Sequence, residues 1–135
     1  LPAPAKNIDE TRGIVSRFMD ERRCGTDYVY AITQKANGEF IGLAGLHHLK
    51  EKVPELGIWT KLSSHGNHYG REAIGALIDY ARTLGITKLC YPVDRRNLPS
   101  KKIPLFYGGK LTTHYFEEKT ADGRILEEEI YEIEL

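Results

Sequence analysis

The sequence predicts a single mixed α/β domain, in which helices pack on a largely antiparallel sheet. Its 135 residues suit one hydrophobic core and are short for two. Several runs rich in β-branched and aromatic residues are joined by Asn-Gly and Asp-Gly turns, which are typical of antiparallel hairpins. Other stretches carry apolar residues at helical spacing. This alternation predicts one domain over residues 1–135, built as an α/β (α+β) fold on a mixed sheet.

A helix is predicted near the start of the chain. Asn7 is followed three residues later by Glu10, and such a pair can satisfy unpaired backbone N–H groups at a helix start. The helix is expected to end near Cys24-Gly25. Its apolar stripe consists of Ile14, Val15, Phe18 and Met19.

Three strands are predicted after this helix. Residues 28–35 and 40–46 are rich in strand formers, and Asn37-Gly38 between them is the strongest short-range hairpin signal. Residues 55–62 form a third run after a polar turn. The three runs therefore predict an antiparallel unit.

The second half of the chain continues this alternation. A helix that ends at Gly85 is predicted from one apolar face, formed by Ala73, Ile74, Leu77, Ile78 and Ala81. A buried strand over 86–93 and a short, imperfect helix over 97–107 come next. The last two strands, 111–118 and 125–135, are joined by a turn that contains Asp122-Gly123.

Composition narrows the range of functions. Nineteen basic and nineteen acidic residues balance, so no global field favours nucleic acid or an anionic membrane. No apolar run approaches the roughly 18 residues of a membrane span. Cys24 and Cys90 are far apart and lack metal-ligand spacing, which predicts reduced thiols and no metal site. These absences predict a cytoplasmic protein that binds neither nucleic acid nor membrane.

The most informative stretch runs from Glu55 to Ala73, where a strand, a loop containing Gly66 and Gly70, and a helix follow one another. The start of a helix carries unpaired N–H groups and a partial positive charge, so a glycine-containing loop there can bind a phosphate or diphosphate. Taken alone, this segment is shared by many nucleotide sites and by ordinary turns. An ordinary nucleotide site is disfavoured, because no Lys-Ser or Lys-Thr follows the glycines.

The same stretch resembles the GNAT superfamily of N-acetyltransferases, in particular the branch that includes the ribosomal-protein-alanine N-acetyltransferases. The matching residues are Glu55, Gly57, Trp59, Gly66, Tyr69, Gly70, Glu72 and Ala73, followed downstream by Asn97 and Ser100. The resemblance implies helices on both faces of the sheet. It also implies transfer of the acetyl group of acetyl-CoA to a primary amine, either a protein N-terminus or a small molecule.

The resemblance also implies roles for individual residues. The backbone of Ile58, Trp59 and Thr60 would bind the pantetheine arm together with Asn97. The N–H groups that would hold the diphosphate belong to His65, Gly66, Asn67, His68, Tyr69, Gly70 and Arg71. Lys102, and Lys101 beside it, could reach the adenosine 3′-phosphate.

Five residues are candidates for proton transfer. Glu55 is the candidate base, with His47 and His48 as alternatives. Ser100 is the candidate acid near the sulfur, and Tyr107 is the alternative acid.

Several features depart from the family pattern. His68 stands where the family has its central glycine, and Pro104 should kink or shorten the helix over 97–107. The first strand and helix of the family are expected to be absent. Residues 28–35 would then present an unpaired edge, which favours a homodimer. These departures leave an alternative open, a non-catalytic acyl-CoA-binding or interaction module.

Overall fold

The computed structural model describes residues 5–135. Along the chain it contains helix α1 (Ile8–Cys24), strands β1 (Tyr28–Thr33), β2 (Phe40–His47) and β3 (Glu55–Thr60), helix α2 (Tyr69–Thr83), strand β4 (Lys88–Asp94), helix α3 (Leu98–Phe106), and strands β5 (Lys110–Lys119) and β6 (Ile125–Glu134). A short 3₁₀ turn, Leu62–Ser64, follows β3. Each predicted helix and strand is present, with ends that differ from the prediction by a few residues.

The six strands form one sheet in the order β1-β2-β3-β4-β6-β5. Neighbouring strands are antiparallel except β3 and β4, which are parallel and share a single residue pair, Glu55 with Cys90. The predicted mixed, mostly antiparallel sheet is therefore confirmed. Its one parallel contact lies at the centre of the molecule.

Most of the core lies between one face of the sheet and helix α2. Alternate strand residues such as Leu46, Leu56 and Tyr91 are almost fully buried there against Ile74 and Ile78 of α2. Ile103 and Tyr107, from α3 and the residue after it, pack against the same cluster. We call this the helix face of the sheet. The residues between them, including His47, Glu55 and Gly57, therefore lie on the opposite face.

Helix α1 packs less closely than α2. It begins with the predicted cap, in which the Asn7 side chain accepts a hydrogen bond from the Glu10 N–H group at 2.9 Å. No residue of α1 is buried, and Met19 is 59% exposed. Its Arg22 guanidinium lies over the rings of Tyr28 and Tyr30 on β1. The helix is thus held mainly beside the first strand.

Within residues 5–135, no helix is long and apolar enough to cross a membrane. Cys24 and Cys90 are free thiols, as predicted, with Cys24 exposed and Cys90 partly buried.

Candidate active site

The two central strands separate and leave a V-shaped opening between them. The Cys90 N–H group donates to the Pro54 carbonyl at 2.9 Å, at the one point where β3 and β4 pair. Beyond Glu55 the two strands share no further residue pair. Backbone groups of β3 past this point therefore face the opening instead of a neighbouring strand.

Strand alternation shows which groups of β3 face the opening. The Lys61 N–H group donates to the Ile41 carbonyl of the β2 side, so Trp59, two residues earlier, also directs its backbone groups toward β2. Ile58 and Thr60 direct theirs toward the opening. Of the three residues predicted as the pantetheine edge, Ile58 and Thr60 therefore face the opening and Trp59 faces β2. The Trp59 side chain packs against Phe40, with ring centroids 6.2 Å apart.

A run of unpaired amides lies where the loop after β3 enters α2. Among residues 5–135, no protein acceptor is found for the backbone N–H groups of Gly66, Asn67, His68, Tyr69, Gly70 and Arg71. The His65 N–H group differs, because it donates to the Leu62 carbonyl at 3.1 Å. The His65 ring is engaged too, with Nε2 3.1 Å from the Thr60 carbonyl oxygen. The predicted cradle thus begins at Gly66 and not at His65.

Two left-handed residues shape this loop. Gly66 has φ +87° and His68 has φ 57° and ψ 24°, so the residue in place of the expected glycine does adopt the conformation that favours glycine. A non-glycine residue there costs about 1–2 kcal/mol. The His68 side chain is exposed and forms no cap on α2. The backbone at His68 is therefore strained, but the imidazole forms no hydrogen bond that caps the amides of α2.

The start of α2 fits tightly against its neighbours. A Cβ atom on Gly70 would lie 3.3 Å from Ile103 Cδ1 and 3.5 Å from Ile58 Cγ1. The Arg71 guanidinium lies 4.2 Å from the ring centroid of Phe106. Helices α2 and α3 and strand β3 thus form the walls around the run of amides.

Helix α3 begins close to the end of β4. The Asn97 side chain accepts a hydrogen bond from the Ser100 N–H group at 3.2 Å, so Asn97 caps the helix while its amide nitrogen stays available. The Ser100 hydroxyl lies 2.7 Å from the hydroxyl of Tyr91, which is 1% exposed. Burial raises the pKa of Tyr91 to about 12, so it stays protonated near neutral pH. Ser100 is therefore held by a buried neutral phenol.

Pro104 shortens α3, as predicted. The helix has nine residues and ends two residues after the proline. The Pro104 carbonyl accepts a hydrogen bond from the Gly109 N–H group at 2.7 Å, which closes the helix end.

Tyr107 does not direct its hydroxyl freely into the opening. The hydroxyl donates to the Arg71 carbonyl of α2 at 2.5 Å. A Cβ atom on Gly75 would lie 2.3 Å from this hydroxyl, so the contact requires glycine at that position. Burial raises the pKa of Tyr107 above its ordinary value. Through this hydrogen bond, Tyr107 joins α2 to the end of α3.

Glu55 lies at the apex of the opening, on the face opposite α2. It is paired with His47 of β2 on one side and Cys90 of β4 on the other. Burial and the charge of Glu55 raise the pKa of the Cys90 thiol to about 11, with smaller contributions from Glu132 and Glu51. The apex is thus surrounded by negative charge, which favours the binding of a cation.

The two candidate histidines occupy different surroundings. His47 is 26% exposed, and its Nδ1 lies 2.8 Å from Asp27 Oδ2. His48 lies in a turn with φ 56° and is 52% exposed. Sequence analysis missed Asp27, because 20 residues separate it from His47. Burial tends to raise the pKa of Asp27, but hydrogen bonds from His47 and Thr26 bring it below the ordinary value.

The two lysines proposed for the 3′-phosphate also differ. Lys101 Nζ lies 2.9 Å from Glu129 Oε1, and this hydrogen bond raises the pKa of Lys101. Lys102 is exposed, and no ion pair is found for it within residues 5–135. Lys102 is therefore the better candidate of the two.

Comparison with known proteins identifies a family. The sequence profile described as "Acetyltransferase (GNAT) domain" matches residues 2–110. Among curated proteins, no sequence matches this chain.

Solved structures share the fold at low sequence identity. The microcin C7 self-immunity acetyltransferase MccE, in complex with acetyl-CoA and AMP, superposes with a TM-score of 0.85 at 17% identity, over 96% of this chain and 73% of that one. A spermidine N-acetyltransferase variant from Vibrio cholerae gives 0.78 at 19%, over 97% and 77%. A ribosomal-protein-alanine N-acetyltransferase from Brucella melitensis gives 0.75 at 18%, over 92% and 78%.

Proposed function

Because this chain belongs to the GNAT acetyltransferase family, whose members transfer the acetyl group of acetyl-CoA to an amine, we propose that the amides from Gly66 to Arg71 bind the diphosphate of acetyl-CoA. The single observation that carries this proposal is that these amides meet no protein acceptor within the described chain. Unpaired N–H groups at the start of a helix, with its partial positive charge, suit an anion.

The rest of the cofactor would lie along the opening. Backbone groups of Ile58 and Thr60 face it from β3, and the Asn97 amide lies across from them at the start of α3. Lys102 is exposed on α3 and can meet the 3′-phosphate. The thioester would then reach the apex, where β3 and β4 separate.

We assign proton donation at the sulfur to Ser100. When the amine attacks the carbonyl carbon, the carbon–sulfur bond breaks and the thiolate needs a hydrogen bond or a proton. The Ser100 hydroxyl is held by the buried Tyr91 hydroxyl, which stays protonated near neutral pH. Tyr107 is the second candidate, but its hydroxyl already donates to the Arg71 carbonyl.

Glu55 marks where the acceptor amine would approach. Its carboxylate lies on the face opposite α2, and Glu51 and Glu132 contribute to the same negative surroundings. This charge supports a primary amine that arrives as an ammonium ion. Glu55 would hold that cation beside the thioester, and it is also the candidate base predicted from the sequence, with His47 and His48 as the alternatives. Protein N-termini and polyamines both present such a group.

Release of free thiol from acetyl-CoA, measured with an alanine-terminated peptide and with spermidine as acceptors, tests the proposal. We expect turnover with at least one of them, and Ser100→Ala should lower kcat about 100-fold while the Kd for CoA stays within twofold. The control is Ser63→Ala, an exposed serine of the 3₁₀ turn, which should match the wild type. CoA binding without turnover of any amine would favour the non-catalytic binding module instead.

Two further proposals concern the oligomeric state of the protein and its location in the cell. Strand β1 pairs only with β2 among the described strands, and a groove of about 440 Å³ lies between β1 and α2. This edge supports our proposal that two copies associate through β1. The free thiols of Cys24 and Cys90 support a cytoplasmic location, where cysteines stay reduced.

A further inference from the structure

A pair of glycines makes room for one imidazole on the face opposite α2. Gly45 of β2 and Gly57 of β3 are direct cross-strand partners in the middle of the sheet. Glycine in a strand interior is unfavourable unless something approaches the backbone closely. Here the His47 ring does so, because Cβ atoms on Gly45 and Gly57 would lie 2.6 Å and 2.9 Å from His47 Nε2.

Asp27 fixes the orientation of this ring. With Nδ1 at 2.8 Å from the Asp27 carboxylate, the N–H of the neutral imidazole is placed on Nδ1. Nε2 then carries the lone pair, and within residues 5–135 it has no hydrogen-bond partner. The side chain of His47 is 26% exposed and that of Asp27 is 16% exposed. The lone pair is therefore oriented and still reachable.

The ring lies beside the apex of the opening. Glu55, the cross-strand partner of His47, is also the last residue of β3 that pairs with β4. Gly57, over which Nε2 lies, is the next residue of β3 on that face. A thioester that enters from the α2 side and reaches the apex would therefore bring its carbonyl carbon toward His47.

We infer that His47, oriented by Asp27, accepts the proton that the acceptor amine loses during acetyl transfer. The inference rests on the proposed function. The amine nitrogen forms a bond to the carbonyl carbon, the carbon–sulfur bond breaks, and one proton passes from nitrogen to His47 Nε2. The Ser100 hydroxyl gives one proton to the thiolate, and the imidazolium proton returns through water to the Ser100 oxygen. Before this step Glu55 binds the ammonium form of the acceptor, which releases one proton to water and becomes the neutral nucleophile.

Other polar and charged groups surround the ring. Asp27 precedes β1, Glu55 lies on β3, Cys90 lies on β4, and His48 and Glu51 lie in the turn after β2. Among these groups, Asp27 lies within hydrogen-bond distance of the His47 ring. Its removal should leave the ring free to turn away from the apex and should lower kcat.

The test compares His47→Gln with His48→Gln at about pH 7.5, using the better of the two acceptors. We expect His47→Gln to lower kcat about 100-fold, with little change in KM for the amine. His48→Gln, whose side chain lies in the neighbouring turn, should keep the wild-type kcat. Asp27→Asn should lower kcat by a smaller factor, again with little change in KM. The Kd for CoA should stay within twofold in all three.

A second variant displaces the His47 ring while His47 itself stays unchanged. Gly57→Ala places a methyl group 2.9 Å from Nε2 and should displace the ring, so kcat/KM should fall at least 10-fold. Gly13→Ala, where a Cβ atom meets nothing within 4 Å, is the matched control. Circular dichroism and melting temperature verify the fold of each variant.

The outcomes separate the two proposals. If His47→Gln or Gly57→Ala is folded and keeps kcat/KM within threefold of the wild type, His47 is not the proton acceptor. A kcat for folded Asp27→Asn within twofold of the wild type, or a loss that appears only in KM, contradicts the role of Asp27 as a positioning residue. If the wild type turns over neither amine, the proposed function itself fails, and the role of His47 fails with it.

Discussion

At the scale of single residues, His68 shows how one substitution can strain a binding loop without blocking it. Comparison with the family pattern indicated that His68 replaces a glycine, and left open whether its φ is positive or negative. The structure has φ 57° there, while the amides around His68 remain without protein acceptors in the described chain. The substitution was thus visible in the sequence, but the strain was not, because the sign of φ depends on how the loop enters α2.

His68→Gly should raise the free energy of unfolding by about 1 kcal/mol, because glycine adopts this conformation without a Cβ clash. It should also strengthen CoA binding, since the loop becomes easier to close around a diphosphate. The measurements are chemical denaturation and calorimetric titration with CoA. His48→Gly is the matched control, because His48 also has a positive φ but lies in the turn after β2. Equal changes in CoA affinity for both variants would contradict this account.

Contacts between distant residues were the part of the site that sequence reasoning could not supply. The family resemblance implied a role for Ser100, but its partner Tyr91 became visible only when β4 and α3 were placed side by side. His47 was one of two adjacent candidates, and only the structure distinguishes it from His48, through Asp27 and two glycines. A cross-strand glycine pair was a signal present in the sequence, but strand register was needed to recognise it.

At the scale of elements, a tyrosine hydrogen bond joins helix α2 to the end of α3, beside the contact between Arg71 and Phe106. The Tyr107 hydroxyl donates to the Arg71 carbonyl and lies where a Cβ atom on Gly75 would stand. The sequence predicted both helices from apolar spacing and predicted that Pro104 shortens the second. It did not predict their contact, because a glycine inside a helix signals close approach without naming the partner.

Gly75→Ala should lower the free energy of unfolding by about 1–3 kcal/mol, although alanine ordinarily favours a helix. The added methyl group cannot share the position of the Tyr107 hydroxyl. In a Tyr107→Phe background the same change should cost clearly less, because the hydroxyl is gone. Denaturant titration of the two single variants and the double variant gives the coupling energy. If the two changes in the free energy of unfolding simply add in the double variant, a Cβ atom at position 75 does not clash with the Tyr107 hydroxyl.

At the scale of the whole molecule, the sheet brings together groups that lie far apart in the chain. The hairpins and the order of elements were predictable, because Asn-Gly and Asp-Gly turns and alternating apolar runs act locally. Separation of β3 from β4 after one residue pair was not predictable from periodicity. It follows from the strand register, in which β3 and β4 share one residue pair. That separation creates the opening on which the proposed function rests.

The most direct test of this function is an amide-resolved NMR titration of the ¹⁵N-labelled protein with CoA. The account predicts that the N–H signals of residues 66–71 shift most, saturate together, and exchange more slowly with solvent when CoA is bound. The N–H group of His65 already donates to the Leu62 carbonyl. Its exchange rate should therefore change less when CoA binds. Signals from residues 66–71 that stay unchanged at millimolar CoA, or that shift less than those of β5, would contradict the account.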